Sequence, residues 1–286
     1  HRDLHSFPTR RSSDLDTDSG TPGFQPDQGA CSGGPVYNAT QDISFVSITA
    51  AIAAANNGDL IMIPSGLYEE AMDAASGSKD LSFEIGASPG CITVTDLSVN
   101  TGDELIIDID GVTTACTEYD QYTVTNTVSL GGATLTLSNT SNNVYSNGSE
   151  ITIIDNQGSG AVTGTFTGGP LYSDGTNDYF ISYTGGDGND VTLTVGTLPT
   201  ISSCPGDLDL NTVTGDCIAQ PSYIDPVITG YPVPVMTYSY STNGGSPVTG
   251  FGSGSGVILA KGTTVMTITA TNVLGSASCR DRKSVV

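Results

Sequence analysis

Histidine, tryptophan and positive charge are all scarce in this sequence. Its 286 residues include no tryptophan, two histidines, and eight lysines and arginines against thirty aspartates and glutamates, so the formal net charge is −22. A chain this acidic has no basic surface for the phosphates of nucleic acids or of anionic membranes, and we expect neither as a partner. No apolar run approaches the length that spans a membrane. The excess of acid indicates either solubility outside the cell or attraction of divalent cations.

Both histidines lie in a terminal segment whose composition differs from the rest. Residues 1–15 read HRDLHSFPTRRSSDL and residues 281–286 read DRKSVV. A common short-read sequencing adapter encodes the first string in one frame, and its reverse complement encodes the second. We therefore predict that both segments are adapter-derived, not native, and lie outside the fold. Residues 16–280 then contain no histidine, which excludes Ser/His/Asp and Cys/His nucleophile systems.

Six cysteines are present, and none forms a CxxC pair. A zinc site would have to gather thiolates from distant segments without any histidine, whereas structural disulfides in an oxidising compartment need no such arrangement. Of the fifteen ways to pair six cysteines, we favour Cys204–Cys279 and Cys91–Cys116. Cys31 and Cys217 stay unassigned.

Glycine, serine, threonine, asparagine and aspartate dominate, and this composition favours β-strands joined by many turns. Residues 16–35 show no periodicity and are predicted to be a linker. From Cys91 onward, short strands recur at regular intervals. The predicted strands are Ile92–Val99, Glu104–Ile109, Tyr122–Leu130, Ala133–Ser138, Glu150–Ile154, Val162–Phe166, Tyr179–Tyr183 and Val191–Val195. The sequence therefore predicts an all-β fold.

A short amphipathic helix is predicted ahead of these strands, within residues 44–56. Its apolar face comprises Phe45, Ile48, Ile52 and Ala55. Asn57-Gly58 ends the helix, and strands follow at 59–64 (DLIMIP) and 67–70 (LYEE). This order resembles the opening of right-handed parallel β-helix proteins, in which the helix caps the open end of the solenoid. Such a cap covers strand edges and apolar interior that water would otherwise reach.

Residues 88–195 resemble a module of very large bacterial surface and autotransporter-like proteins. The matching blocks are SPG (88–90), LIIDIDG (105–111), YDQYTVTNTVSLGGATLTL (119–137), ITIID (151–155), AVTGTF (161–166) and FISYTGGDGNDVTLT (180–194). Together with the helix, this resemblance implies a β-helix or β-solenoid over residues 36–196.

Residues 197–280 resemble a hyalin repeat, an immunoglobulin-like β-sandwich. The matching residues are PTISSCP (199–205), GDC (215–217) and LAKGTTVMTITATNVLGSASC (259–279). In that family a final strand follows the last cysteine. Because the adapter-like segment starts at residue 281, we expect a truncated sandwich that lacks its last strand, with Cys204 and Cys279 flanking it. A cysteine that often accompanies a Cys217-like position is missing, so Cys217 has no assigned partner.

The loop GGDGND (185–190) is similar to the calcium-binding glycine-aspartate nonapeptide that stacks into a β-roll. Asp187, Asn189 and Asp190 are therefore weak calcium candidates. The motif needs tandem copies and an apolar residue where Thr192 stands, whereas this chain has one copy. Glycines that reverse the chain between two strands explain the loop equally well without metal.

Asp108 and Asp110 form a second candidate pair, because residues i and i+2 of a strand share one face. Such carboxylates could act in a glycosidase or bind calcium, and a solvated strand face is the simpler interpretation. β-Helix enzymes that cleave pectin, as a family, use arginine or lysine bases, calcium-binding aspartates, or aspartates with histidine. Only Lys79 is available inside the predicted solenoid.

The resemblances imply a secreted fragment of a large bacterial surface protein, adhesin-like and without catalysis of its own. Its location would be extracellular or on the cell surface, and its partner an extracellular protein or a carbohydrate. Two alternatives stay open at this point. One is a fragment of a secreted β-helix enzyme that degrades polysaccharides, and the other is a calcium-stabilised spacer.

Overall fold

The computed structural model describes residues 35–86, 89–213 and 215–286. They form one helix and 22 strands, so the all-β prediction is confirmed. Elements up to residue 202 are β1 (Val36–Asn38), β2 (Ile43–Phe45), α1 (Ile48–Ala54), β3 (Leu60–Ile63), β4 (Gly66–Leu67), β5 (Met72–Asp73), β6 (Ser82–Ile85), β7 (Cys91–Ser98), β8 (Glu104–Asp108), β9 (Gln121–Ser129), β10 (Thr134–Ser138), β11 (Glu150–Asn156), β12 (Leu171–Ser173), β13 (Asp178–Gly185) and β14 (Asp190–Ser202). The rest are β15 (Leu208–Leu210), β16 (Ile218–Ala219), β17 (Val227–Tyr231), β18 (Val235–Thr242), β19 (Val248–Phe251), β20 (Leu259–Ala260), β21 (Gly262–Asn272) and β22 (Gly275–Val285).

The predicted helix is present, and three polar side chains fix its ends. The Ser47 hydroxyl accepts from the Ala50 amide at 3.1 Å, and the Glu70 carboxylate accepts from the amides of Ile48 and Thr49 at 2.7 and 2.9 Å. Lys79 donates to the carbonyls of Ile52 and Ala53 near the other end. These groups satisfy amides and carbonyls that a helix end leaves without partners. Phe45, expected on the helix, lies in β2 instead.

From β3 to β11 the chain alternates between two sheets. Strands β3, β6, β8 and β10 pair in parallel in one sheet. Strands β4, β5, β7, β9 and β11 pair in parallel in the other, where β4 and β5 both flank β7. Parallel neighbours cannot be joined by a tight turn, so each connection crosses to the opposite sheet. We call residues 36–196 the ladder region.

Side chains facing the space between the two sheets form the core of the ladder region. In the first sheet, register aligns Ile61, Phe83, Leu105 and Leu135 in one row. In the second sheet, Ile92, Tyr122 and Ile154 make the corresponding row. All of these side chains are buried. Strand side chains alternate between faces, so the same alternation that fills this core leaves a second row on the surface.

Of the strands predicted from Cys91 onward one is wrong, and the strand predicted at 67–70 forms only at Leu67, as part of β4. Residues 162–166 make a single bridge between Thr163 and Ser129 and form no strand. The segment has apolar residues at 162 and 166 only, with glycine at 164 in a left-handed conformation (φ 75°). By contrast, the strand–loop–strand predicted around residues 179–195 is confirmed, because β13 and β14 pair antiparallel on either side of the GGDGND loop.

The chain enters a different architecture along β14, which also pairs antiparallel with β17. A five-stranded sheet follows in the order β15-β22-β21-β18-β19, together with a small sheet of β16 and β20. We call residues 197–286 the second region. The predicted boundary between residues 196 and 197 falls inside a strand and not in a linker.

Strand β22 corrects the expectation for residues 281–286. The strand continues past Cys279 to Val285 and pairs along its whole length with β21. Asp281, Lys283 and Val285 are buried while Arg282 is exposed, so the hexapeptide has the alternation of a strand. It is therefore part of the fold, and a strand does follow the last cysteine. The adapter origin of this hexapeptide stays a prediction.

Candidate functional site

Asp108 and Asp110 have different surroundings. Asp108 ends β8 and is 6% exposed. Asp110 lies beyond the strand, where its Oδ1 accepts from the hydroxyls of Thr140 at 3.2 Å and Ser141 at 3.1 Å. The hydrogen bonds of Asp110 therefore lead to the loop after β10 and not towards Asp108.

The carboxylate that does meet Asp108 is Asp120, which directly precedes β9. Its Oδ2 accepts from the Asp108 amide at 2.9 Å, and its Oδ1 accepts from the Gly90 amide at 2.6 Å. The Asp120 amide in turn donates to the Asp108 carbonyl at 2.9 Å. Asp120 thus ties together the end of β8 and the starts of β7 and β9. Sequence reasoning missed it, although it lies in the YDQ block.

Glu84 of β6 completes a group of three acids with Asp108 and Asp120, which we call the carboxylate cluster. Burial raises the pKa of Asp120 to about 7 despite the two amide hydrogen bonds, and the negative charges of Asp108 and Glu84 add to the rise. Burial also raises the pKa of Glu84, with Asp108 as the second cause. Asp120 and Glu84 therefore hold protons more tightly than exposed acids do.

Tyr122, in the inward row of β9, lies beside the same acids. Its side chain is fully buried, and its hydroxyl has no hydrogen-bond partner among the described residues. Burial, followed by the negative charges of Asp120, Glu84 and Asp108, raises the pKa of this phenol. A buried hydroxyl without a partner is costly, and among the described residues of the ladder region only Tyr122 and Thr192 have one.

A pKa near 7 is suitable for general acid catalysis, but geometry also has to bring the acid to a substrate. Asp120 is 0% exposed, and each of its oxygens accepts from a main-chain amide. The Asp120 carboxyl group therefore holds main-chain segments together and does not face solvent.

Most of the calcium candidates in the GGDGND loop are also engaged within the framework. The Asn189 side-chain amide donates to the carbonyls of Asn156, Gly158 and Gly160 at 3.1, 2.7 and 3.2 Å. Asp190 accepts from the Asn156 amide at 2.8 Å, and burial is the main cause that raises its pKa. Asp187 alone is exposed.

Glycine is required at the second position of that loop. Gly186 has φ 54°, and a β-carbon there would collide with Oδ2 of Asp190. The loop thus needs glycine at this position for chain reversal.

No group of three or more His, Cys, Asp or Glu side chains within residues 35–86, 89–213 and 215–286 is placed to hold a metal ion. Calcium binding by Asp187, Asn189, Asp190, Asp108 or Asp110 stays a prediction. In the same described residues, no helix is both long and apolar enough to cross a membrane.

Two disulfides are present among the described residues, and they join the pairs favoured from the sequence. Cys91–Cys116 connects the start of β7 to the loop after β8, with Cα atoms 4.8 Å apart. Cys204–Cys279 connects the end of β14 to β22, with Cα atoms 6.2 Å apart. Cys217 is free and exposed. Cys31, like residues 1–15 and nearly all of the predicted linker, lies outside the described residues.

Comparison with known sequences adds no family. A scan against protein-family models gives no match for this chain, and a search of curated proteins gives none either.

Proposed function

We propose that this chain is a non-catalytic structural and adhesion module of a large, secreted bacterial surface protein. In this proposal the ladder region is a parallel β-helix capped by α1, and the second region is an immunoglobulin-like domain similar to a hyalin repeat. The alternation of parallel strands between two sheets supports the first assignment. The second assignment is supported by the five-stranded sheet, whose pairs are antiparallel except for β15 with β22, and by the small sheet of β16 and β20, whose Ala219 and Leu259 pack in one cluster with Val285 of β22.

The observation that carries the proposal is the separation between framework and surface in the ladder region. Inward rows are apolar and buried, while outward positions such as Thr93 and Thr123, paired on β7 and β9, are polar. Outward side chains can therefore change without disturbing the core. The two disulfides are compatible with an oxidising, extracellular location.

A second candidate is a polysaccharide-degrading enzyme, and the carboxylate cluster is the observation that favours it. Asp108 and Asp120 are adjacent, and the pKa of Asp120 is raised to about 7. In such an enzyme Asp120 would be the acid that protonates a leaving group, with Asp108 as the neighbouring carboxylate.

The deciding experiment incubates the full chain with pectin, alginate and neutral polysaccharides, with and without calcium. We expect retention of the chain on one or more immobilised polysaccharides and no release of unsaturated or reducing ends. Turnover that is abolished by Asp108→Asn, but kept by the matched charge change Asp110→Asn, would overturn the proposal in favour of the enzyme. Circular dichroism of both variants checks that the fold is retained.

A further inference from the structure

The second region contains an open groove between a glycine-rich loop and the segment before β17. Its volume is about 570 Å³, within the range of sites for small molecules. The lining consists of Tyr223, Asp225, Tyr238, Phe251 and the loop GSGSGV at residues 252–257. We call this feature the glycine-loop groove.

The loop owes its course to three glycines in the left-handed region. Gly252, Gly254 and Gly256 have φ values of 88°, 81° and 82°, which side chains other than glycine rarely adopt. At Gly254 a β-carbon would also press on the sulfur of Met266 at 2.9 Å. The serines between the glycines are thereby presented at fixed positions.

Hydrogen bonds hold the loop against Tyr223 and Asp225. The Tyr223 hydroxyl donates to the Ser253 carbonyl at 2.7 Å, and the Tyr223 amide donates to the Ser255 hydroxyl at 3.2 Å. Ser255 donates back to the Tyr223 carbonyl at 3.1 Å, and Ser253 donates to Oδ1 of Asp225. Because these groups are already held in place, binding a ligand costs little further conformational entropy, and this favours binding.

Phe251 and Tyr238, on neighbouring strands, are two aromatic residues of the groove lining. Phe251, at the end of the edge strand β19, is 84% exposed. Tyr238 is half-buried and stacks on Tyr240, with centroids 6.1 Å apart and an angle of 17° between the rings. Opposite Tyr238, β19 has Gly250, where any β-carbon would collide with the tyrosine ring.

The polar lining selects the charge of a ligand. Asp225 is the one charged residue of the lining, and no lysine or arginine takes part. Within the described residues, Asp225 accepts a single side-chain hydrogen bond, at Oδ1, which leaves Oδ2 for a ligand hydroxyl. The net charge of −22 further disfavours an anion.

We propose that the glycine-loop groove binds a neutral oligosaccharide. Sugar hydroxyls would donate to Asp225 and to the exposed hydroxyl of Ser255, and the polarised C–H face of a sugar ring would stack on the electron-rich face of Phe251. A peptide is the weaker fit, because peptide anchors require a desolvated apolar pocket, whereas serines, glycines and a carboxylate dominate this lining. The inference rests on the proposed adhesion function and names its ligand class.

The test measures binding of cellotetraose and xylotetraose to the full chain by titration calorimetry, with tetragalacturonate as the acidic counterpart. Neutral oligosaccharides should bind, and Phe251→Ala should weaken that binding about tenfold, the equivalent of about 1.4 kcal/mol. Asp225→Asn should also weaken binding, since Asn keeps an acceptor for Ser253 but loses the charge. Val144→Ala is the matched control, because Val144 is 81% exposed and lies in the ladder region.

Three outcomes would overturn the inference: no binding of either neutral oligosaccharide, stronger binding of tetragalacturonate, or binding that Phe251→Ala leaves unchanged. Failure of the proposed function is distinguished by turnover. An oligosaccharide that binds in the groove and is also hydrolysed contradicts the non-catalytic role but leaves the groove assignment intact. If the chain is retained on polysaccharides although neither neutral oligosaccharide binds in the glycine-loop groove, only the assignment of the groove is contradicted.

Discussion

The ladder region and the second region are both made of strands, yet different forces stabilise them. Buried apolar residues form a single cluster from Val36 to Val195 in the ladder region. In the second region fewer apolar side chains are buried, namely Ala219, Leu259, Met266, Ile268, Ala270, Leu274 and Val285. Each fully buried apolar side chain contributes about 1.5–3 kcal/mol, so the ladder region is stabilised chiefly by its core.

The second region compensates with a long-range crosslink and a buried ion pair. Cys204–Cys279 closes a loop of 75 residues. The Lys283 ammonium is fully buried, lies 2.8 Å from Oδ1 of Asp281, donates to the Gly206 carbonyl at 3.0 Å, and sits 4.6 Å from the centroid of the Tyr223 ring. Regular alternation builds the larger core of the ladder region by repetition, whereas the second region, with fewer buried apolar side chains, depends more on particular contacts.

The largest effect is expected from removing each disulfide in turn, which tests whether the two regions depend on different interactions. Cys204→Ser with Cys279→Ser should lower the free energy of unfolding of the second region by about 4 kcal/mol, because closure of a long loop restricts the unfolded chain strongly. Cys91→Ser with Cys116→Ser opens a loop of 25 residues and should leave the ladder region folded. Urea unfolding followed by region-resolved hydrogen exchange measures both. A larger loss of unfolding free energy on removing Cys91–Cys116 would show that the ladder region, and not the second region, depends more on its disulfide.

The second prediction concerns Lys283. Lys283→Met should cost about 3 kcal/mol or more, because it leaves the Asp281 carboxylate buried without its partner. Adding Asp281→Leu should restore most of the loss, since both members of the pair are then replaced by apolar groups. Thermal unfolding of the two variants and of the wild type is the measurement. Lys283→Met with wild-type stability would show that residues 281–286 are not part of the folded sheet.

The third prediction sharpens the account of the ladder region through pH. The pKa of Asp120 is about 7 when folded, against about 4 for an unfolded aspartate. Between these values the folded state binds the extra proton, so stability should fall as pH rises from about 4.5 to 7, by on the order of 2 kcal/mol. Below pH 4 the trend reverses. The pKa values of four other acids are lowered in the folded state, so their protonation as pH falls decreases stability; these acids are Asp59, Asp96, Glu118 and Asp174.

Urea unfolding midpoints measured across this pH range give the slope of stability against pH. Asp120→Asn should flatten it, even though absolute stability falls with the loss of an acceptor for a main-chain amide. Glu84→Gln should flatten it in part. Asp110→Asn removes the same charge outside the cluster and should leave the slope as it is. An unchanged slope in Asp120→Asn would show that another group binds the proton.

The smallest expected effect is that of Cys217→Ser. Because Cys217 is exposed and free, this substitution should change the free energy of unfolding by no more than about 0.5 kcal/mol. Peptide mapping without reduction provides the companion measurement and should find Cys204 joined to Cys279. A Cys204–Cys217 bond would contradict the structure.

Much of the candidate chemistry could not be predicted from the sequence. Asp108 and Asp110 attracted attention through their spacing, but hydrogen bonds connect Asp108 to Asp120 and Asp110 to the loop after β10. Sequence spacing shows which side chains share a strand face, whereas contacts across two sheets depend on how long each connection is. The glycine-loop groove was missed for the same reason. GSGSGV has the composition of an ordinary turn, and only the folded structure shows that Tyr223 and Asp225 pack against it.

The sequence by itself determined the all-β class, the helix ahead of the strands, the β13–β14 hairpin and the two favoured cysteine pairs. Each of these follows from local alternation, turn residues or the placement of cysteines. Tertiary structure alone decided that residues 281–286 complete β22, that Asp120 is buried, and that Tyr122 lies beside three acids. The physical reason is that burial and pairing depend on residues distant in the chain. A strand of mixed charge such as Arg280–Val285 joins a sheet only when its neighbour and an ion-pair partner are in place.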